Sequence, residues 1–323
     1  MNDSPARKIL ALSGGVGGAK LALGLSSVLP PDALDVVVNT ADDFTHLGLH
    51  ISPDIDTLLY TLSGQNNQEL GWGLAGESWQ AMDALENLGG ETWFRLGDRD
   101  LATHLWRSQA LAGGLGLAQV TNELATRMGL STAVHPMTED SVRTAVHSDE
   151  GELPFQEYFV RRQCQPCVSG FEFKGIEAAK PNPAVMRLLR SEQVAGVVIC
   201  PSNPFVSVDP ILRIEGMYHA LLAVDAPIIA VSPIVAGMAI KGPAAKMMAE
   251  LGMPVTALAV AEHYAEQYPG LLNTFVIDQS DATLASDIRS IGIDVAITPT
   301  IMKTLQDKQQ LARFTLGMME FQA

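Results

Sequence analysis

The sequence predicts an α/β protein with a Rossmann-like, mostly parallel sheet and helices on both faces. An apolar run at 9–12 passes through a glycine-rich turn into a helical pattern, which is a strand–turn–helix unit. A second β-branched run at 36–38 ends in polar residues. Apolar runs at 194–200 and 226–231 each lead into a Ser/Pro-rich loop. This layout places ligand-binding loops at the carboxyl edge of a doubly wound sheet.

The glycine-rich turn is the first candidate binding element. Its glycines leave backbone N–H groups unshielded and allow positive φ, so a phosphate can bind at the following helix N-terminus. The spacing matches neither the P-loop nor the complete dinucleotide-binding motif. A tight turn without any ligand is the alternative. The candidate phosphate-binding residues are Gly14, Gly15, Gly17, Gly18 and Lys20.

Four carboxylates in the stretch 42–56 form a second candidate element. Asp42 and Asp43 follow the second strand, whereas Asp54 and Asp56 open a predicted helix behind Pro53. Helix capping explains the second pair, but the group as a whole exceeds what capping requires. Such a cluster can hold Mg²⁺ through one or two carboxylates, with phosphate oxygens and water completing the shell.

Composition restricts the function further. The 323 residues are 47% hydrophobic and 18% charged, which is typical of a globular protein, and the formal net charge is −15. This charge argues against a nucleic-acid partner. No apolar run approaches the roughly 20 residues needed to cross a bilayer, and the N-terminus lacks the layout of a signal peptide. We therefore expect a cytoplasmic protein without a membrane partner.

Two regions are expected. Residues 1–60 and 190–323 form the nucleotide- and phosphate-binding core, and residues 61–189 form an inserted helical and small β subdomain that contributes to the site. Helical spacing predicts helices over 77–88 and 100–128, with a break at 112–114. The remaining predicted strands lie at 144–147, 157–160, 255–260, 274–278 and 293–298.

The segment 92–100 combines aromatic residues, arginines and acids. Asp98 and Asp100 can cap a helix, and Asp100 has i,i+4 spacing to His104. Helix-end chemistry therefore explains most of this segment. Arg95 is not explained in that way.

Six motifs in order resemble the 2-phospho-L-lactate transferase family of deazaflavin coenzyme F-420 biosynthesis. The resemblance extends from residue 7 to the C-terminus. The motifs are Ser-Gly-Gly-Val-Gly-Gly-Ala-Lys at 13–20, Asn-Thr-Ala-Asp-Asp at 39–43, Ser-Pro-Asp-Ile-Asp-Thr at 52–57, Leu-Gly-Asp-Arg-Asp at 96–100, Pro-Ser-Asn-Pro at 201–204 and Val-Ser-Pro-Ile at 231–234.

The resemblance implies a magnesium-dependent transferase. It would move phospholactate, phosphoenolpyruvate or 3-phosphoglycerate from a guanosine diphosphate ester to the deazaflavin Fo and release GMP. A homodimer is also expected. By resemblance, Asp54 and Arg95 contact Fo, and the glycine loop cradles the diphosphate. Phosphate- and nucleotide-binding candidates beyond that loop are Asn39, Ser202, Asn203, Ser232 and Gly242.

Asp42, Asp43 and Asp54 are the catalytic and metal-binding candidates: they would hold the metal or accept the proton of the attacking hydroxyl. A related group of non-catalytic, nucleotide-sugar-binding regulators, the gluconeogenesis factors, shares the glycine loop and the Asn-Thr-x-Asp-Asp strand end. The 52–57 and 97–100 motifs match the transferases better. A nicotinamide-dependent oxidoreductase is a second alternative, but its glycine spacing differs from the one found here.

Overall fold

The computed structural model describes residues 7–69, 71–239 and 242–319. Fourteen strands are formed by these residues, and they are numbered in chain order. They are β1 (Lys8–Ser13), β2 (Leu34–Val38), β3 (Phe44–His46), β4 (Leu49–Ile51), β5 (Ala133–Pro136), β6 (Arg143–Ser148), β7 (Gly151–Pro154), β8 (Val168–Lys174), β9 (Val194–Ile199), β10 (Ile228–Val231), β11 (Ile234–Val235), β12 (Met238–Ala239), β13 (Thr274–Ile277) and β14 (Asp294–Ile297).

Twelve α-helices are formed by the same described residues. They are α1 (Gly15–Val28), α2 (Pro53–Leu62), α3 (Gln80–Asn87), α4 (Asp98–Ala112), α5 (Leu117–Arg127), α6 (Pro183–Leu189), α7 (Asp209–Arg213), α8 (Met217–Leu222), α9 (Ala244–Glu250), α10 (Ala257–Gln267), α11 (Ala285–Ser290) and α12 (Leu305–Gly317). Short helical turns also occur at Glu157–Arg161, Ile176–Ala178, Pro204–Val208 and Gln279–Leu284.

Seven parallel strands form the central sheet in the order β14-β13-β10-β9-β1-β2-β5. The expected α/β class with a parallel sheet is confirmed. After β1, strands β2 and β5 are added towards one edge of the sheet. Strand β9 then pairs with the other side of β1, and β10, β13 and β14 follow towards the opposite edge. The topological switch point therefore lies between β1 and β9, where the loops at their carboxyl ends diverge and leave a crevice.

Alternate residues of the sheet enter two separate apolar layers. In β1, Leu10 and Leu12 pack on one face, whereas Ile9 and Ala11 pack on the other. Helices α1, α2, α5 and α12 contribute to the layer that contains Ile9. Helices α6, α10 and α11 contribute to the opposite layer. Burial on both faces explains why these strands are continuously apolar in the sequence.

The segment 61–189 contains the expected helices and a small antiparallel sheet in the order β7-β6-β8. It also supplies β5, which is an edge strand of the central sheet because Ala133–Pro136 pairs with residues 35–38 of β2. The segment is therefore tied into the core by one strand. Its status as a separate subdomain stays a prediction.

Two predicted strands are wrong. Residues 157–160 lie in a helical turn, and Phe159 of this turn stacks on the preceding Phe155 with ring centroids 5.5 Å apart. Residues 255–260 lead into α10, because the Thr256 hydroxyl caps the Ala259 N–H at 3.1 Å and the following alanines favour a helix. No helix of the described residues is long and apolar enough to cross a membrane.

Candidate functional site

A cavity of about 590 Å³ lies at the carboxyl ends of β1, β2, β9 and β10. The glycine loop, the start of α2 and the loop after β9 line one side of it. Aromatic residues from the 61–189 segment line another side. The cavity therefore occupies the crevice that the strand order creates.

At three of the four glycine positions of the loop, neighbouring atoms leave no room for a side chain. A Cβ on Gly17 would lie 2.2 Å from the carbonyl oxygen of Pro201, and one on Gly18 would lie 2.4 Å from Ser13 Oγ. A Cβ on Gly14 would lie 2.5 Å from Ser207 Cβ. Gly15 instead has a φ of +63°, which favours glycine. These contacts bring the start of α1 against the loop after β9.

The start of α1 faces the cavity with its backbone. Gly14, Gly15 and Gly17 line the space, whereas Gly18 lies beneath it against Ser13 and Ser202. The Gly14 N–H donates to Ser202 Oγ at 3.0 Å. The first-turn N–H groups of a helix carry partial positive charge, so this end of the cavity suits an anion.

Asn39 joins two of the candidate carboxylates. Its Nδ2 lies 3.1 Å from Asp42 Oδ2 and 3.1 Å from Asp54 Oδ2, and its Oδ1 accepts from the Ala41 N–H at 2.9 Å. The Gly15 N–H also donates to Asp54. Asn39 is fully buried and is not among the cavity-lining residues, so it supports the two carboxylates without facing the cavity itself. It fixes Asp42 and Asp54 at the cavity edge.

The two carboxylates have raised pKa values. Burial, followed by the nearby Asp54 carboxylate, raises the pKa of Asp42 well above its usual range. Burial, with a further contribution from Asp43, raises the pKa of Asp54 to about 6 despite its hydrogen bonds to Asn39 and Gly15. The site therefore concentrates negative charge that the fold does not fully compensate.

Asp43 lies next to this pair and is held by other partners. Its Oδ2 accepts from Ser52 Oγ at 2.7 Å and lies 3.1 Å from His50 Nε2. The Oδ1 atoms of Asp42 and Asp43 are buried and have no hydrogen-bond partner of normal geometry among the described residues. Two buried carboxylate oxygens thus remain available to a further donor or cation.

A hard cation suits this set of oxygen donors, and the two unpartnered Oδ1 atoms agree with that chemistry. However, no three His, Cys, Asp or Glu side chains within 7–69, 71–239 and 242–319 converge closely enough to hold a metal ion by themselves. A cation here would thus need oxygen ligands from substrate or water as well. The assignment of Mg²⁺ to Asp42, Asp43 and Asp54 stays a prediction.

Asp56, the fourth carboxylate of the stretch, does not belong to the cavity. It forms a buried ion pair with Arg107 of α4 through both carboxylate oxygens, one of them 3.0 Å from Nη1. Asp56 is close to the other three acids in the sequence. Its position on α2, however, directs its side chain away from the cavity and towards α4.

Aromatic side chains form part of the cavity wall. Trp93 and Phe94 come from one segment, and Phe155 and Phe159 come from the stretch that follows β7. Flat rings of this kind offer stacking surfaces to a planar ligand.

Arg95 also lines the cavity, and its contact with Fo stays a prediction. Its Nη2 donates to Asp83 Oδ1 at 2.9 Å, and its guanidinium lies 5.0 Å from the centre of the Trp79 ring. The Arg95 side chain is half exposed at the rim. It would have to leave or share Asp83 to bind a ligand deeper in the cavity.

These features fit one family. The sequence profile described as 2-phospho-L-lactate transferase CofD matches residues 9–302. The chain belongs to this family. Because the match covers most of the chain, the resemblance drawn from the six motifs is confirmed.

Curated relatives support the same assignment. A phosphoenolpyruvate transferase of Kitasatospora aureofaciens is 37% identical over 319 residues, which are 97% of this chain and 98% of that protein. A 2-phospho-L-lactate transferase of Methanococcoides burtonii is 37% identical over 305 residues, which are 94% and 97%. The chain is thus a phospho-acid transferase of the CofD family.

A crystal structure of a UPF0052-family protein from Bacillus halodurans has the same fold. Its TM-score is 0.63 at 14% identity, with 97% of this chain and 100% of that chain covered. At this identity the likeness concerns the fold alone.

The loops after β9 and β10 hold the remaining candidates of the CofD-type site. Ser202 and Asn203 line the cavity, and Asn203 Oδ1 also caps the Phe205 N–H at 3.0 Å. Gly242 lines it with a φ of +75°, while its neighbour Lys241 lies outside the described residues. Ser232 is fully buried and bonds within its own turn to Ile234, and it is not among the cavity-lining residues.

Several cavity residues were missed by the sequence reasoning. Thr57 lies one turn after Asp54 on α2, and that spacing is a signal the sequence contains. Gln156 Nε2 lies 3.4 Å from the Asp42 carbonyl oxygen, a tertiary contact with no local signal. Other missed lining residues are Phe155, Phe159, Ser207, Thr300 and Met302.

Proposed function

We propose that the protein transfers a phosphorylated three-carbon acid from a guanosine diphosphate ester to the terminal ribityl hydroxyl of the deazaflavin Fo. The acid would be phospholactate, phosphoenolpyruvate or 3-phosphoglycerate. GMP would leave, and the product would be the phosphodiester-linked core of coenzyme F-420. A homodimer in the cytoplasm is part of the same proposal.

The observation that carries this proposal is the position of Asp42 and Asp54 beside the first turn of α1 in one cavity. The partial positive charge at the first turn of α1 suits the diphosphate, and an adjacent carboxylate of raised pKa suits a hydroxyl that must lose its proton. The aromatic wall near Phe155 and Phe159 suits the planar deazaflavin.

The reaction is a single displacement at phosphorus. The hydroxyl oxygen of Fo attacks the phosphorus that bears the acid, and the bond from this phosphorus to the GMP oxygen breaks. Asp54 is the residue we assign to accept the hydroxyl proton, because its pKa of about 6 keeps most of it ionised at neutral pH. The α1 amides stabilise charge on the phosphoryl oxygens.

The side chains that would hold Mg²⁺ are Asp42, Asp43 and Asp54, and for Asp54 this role is the alternative to accepting the hydroxyl proton. When bound, the cation would neutralise charge on the diphosphate and on the departing GMP. Arg95 and Asp54 would orient Fo from two sides of the cavity, and Ser202, Asn203 and Gly242 would lie near the nucleotide.

Incubation with Fo, Mg²⁺ and enzymically generated donors tests the proposal. The donors are the guanosine diphosphate esters of phospholactate, phosphoenolpyruvate and 3-phosphoglycerate, and mass spectrometry reads the products. We expect one coenzyme core and an equal amount of GMP, both abolished by chelation of Mg²⁺ and restored by its return. No product from any donor, together with no binding of Fo, would refute the transferase and favour a nucleotide-binding regulator.

A further inference from the structure

A smaller side chamber of about 140 Å³ opens beside the main cavity. It lies between α1, α2, the start of α12 and the loop that carries Trp72. Both spaces are lined by Val16, Lys20, Thr57 and Trp72, so the chamber adjoins the cavity.

The side chamber is lined by lysines within a strongly acidic chain. Lys20, Lys303 and Lys308 line it, and none of its described lining residues is Asp or Glu. The chain has 36 acidic against 21 basic residues, so a space lined by three lysines departs from its general composition. Asp307 lies close to Lys303 but does not line the chamber. Asn66 and Gln68 add neutral amide groups that can donate hydrogen bonds. This lining has the chemistry of a site for a small anion.

The position of the chamber relates it to the proposed reaction. Thr57 lies three residues after Asp54 on α2, and Lys20 lies four residues after Val16 on α1. One helical turn advances about 5.4 Å, so the chamber begins about one turn from the place where the phosphorus would react. The carboxylate of a three-carbon acid is only a few bonds from that phosphorus.

We infer that the side chamber binds the carboxylate of the three-carbon acid on the donor, with Lys303 and Lys308 as specificity-determining residues. This inference rests on the proposed transfer reaction. The nucleoside and the deazaflavin occupy the larger cavity. Lys308 is half-buried and Lys303 is exposed, so Lys308 has the larger effect.

The test uses Lys308→Gln, Lys303→Gln and the double variant, with Lys180→Gln as the control. Lys180 is an exposed lysine that lines neither space, so its substitution removes the same charge elsewhere. We expect kcat/KM for the donor to fall about tenfold in Lys308→Gln and about threefold in Lys303→Gln, as for loss of charge-assisted hydrogen bonds. GDP, which lacks the acid, should bind all variants with unchanged affinity, and Lys308→Arg should restore most of the activity.

Two outcomes would overturn the inference directly. An equal loss of GDP affinity would show that the lysines hold a nucleotide phosphate. An equal loss in Lys180→Gln would show a general effect of net charge. A wild-type protein that uses no donor would refute the proposed function instead. The chamber would then be judged by calorimetry with free phosphoenolpyruvate: binding must occur in the wild type and be lost in the double variant, and any other result overturns the inference.

Discussion

Asp54 and Asp56 lie two residues apart on α2 and have opposite environments. Asp54 shares the amide of Asn39 with Asp42, and its pKa is raised. Asp56 instead forms an ion pair with the fully buried Arg107. Residues two apart on a helix are rotated by about 200° around its axis, so their side chains point to nearly opposite sides. One acid therefore faces the cavity, and the other faces α4. The same residue type thus serves the site at one position and the fold at the other.

The acids of the network around Asp56 all have partners, although Arg107 Nε and His104 Nε2 lack a hydrogen-bond partner of normal geometry among the described residues. Arg107 Nη1 lies 3.1 Å from His104 Nδ1, His104 Nε2 lies 3.2 Å from Asp100 Oδ1, and the Tyr60 hydroxyl donates to Asp100 at 2.7 Å. Burial raises the pKa of Asp100, but its contacts with His104, Tyr60 and Arg107 together outweigh this and leave the pKa lowered. Each acid here has a partner, whereas Asp42 and Asp43 each keep an unpartnered oxygen. The comparison separates charge that stabilises the fold from charge that is available for chemistry.

The largest expected effect is on catalysis at Asp54. Asp54→Asn should lower kcat by about 10²–10⁴-fold, because an amide can neither accept the hydroxyl proton nor bind a cation as a carboxylate does. Steady-state transfer assays with Fo and the active donor measure this change. The melting temperature should stay the same or rise, since a buried like-charge contact is removed. Unchanged turnover would remove Asp54 from the mechanism.

The matched change on the other side of the helix should act on stability. Asp56→Asn removes the carboxylate that forms the ion pair with the buried Arg107, and the free energy of unfolding should fall by about 3–5 kcal/mol. Urea unfolding followed by circular dichroism measures the loss, with Asp54→Asn as the control on the same helix. If both variants lose equal stability, the assignment of Asp54 to the site and of Asp56 to the fold is wrong.

The smallest expected effect is a difference in pH dependence. The pKa of Asp54 rises from 3.8 to about 6 on folding, so the folded state binds the proton more tightly. The free energy of unfolding of the wild type should therefore fall relative to Asp54→Asn as the pH rises from about 4 to about 6, by roughly 1–3 kcal/mol, and stay level above that. Urea unfolding at pH 4.5, 5.5, 7 and 8 gives the difference. A difference that is the same at every pH would place the folded pKa of Asp54 near its ordinary value.

Local pattern was sufficient for much of the fold. Apolar runs correctly predicted six strands of the central sheet, because strands buried on both faces need continuous apolar sequence. These strands are β1, β2, β9, β10, β13 and β14. Helix-end chemistry was also predictable: Asp98 accepts from the Gln80 and Ala81 N–H groups, and Asp100 pairs with His104 at i,i+4. The pattern failed at 157–160 and 255–260, where short apolar segments fit a strand or a helix equally well.

The candidate site was predicted in its parts but not in its arrangement. Gly14, Asp54 and Ser202 were each named from local motifs, and all three line the cavity. The grouping of Asp56 with Asp54 did not hold, because the partner that captures Asp56 is 51 residues away in the chain. Gln156 and Thr300 reach the same cavity from still more distant segments.

The sequence by itself determined the strand–turn–helix units, the glycine loop, the carboxylates at the strand end and the family, since each depends on neighbouring residues or on ordered motifs. Only the tertiary structure decided which carboxylates share Asn39, which one pairs with Arg107, and that three lysines from both ends of the chain line one chamber. These are through-space relations. Burial and charge act over distances in space, and the spacing of residues along the chain does not record them.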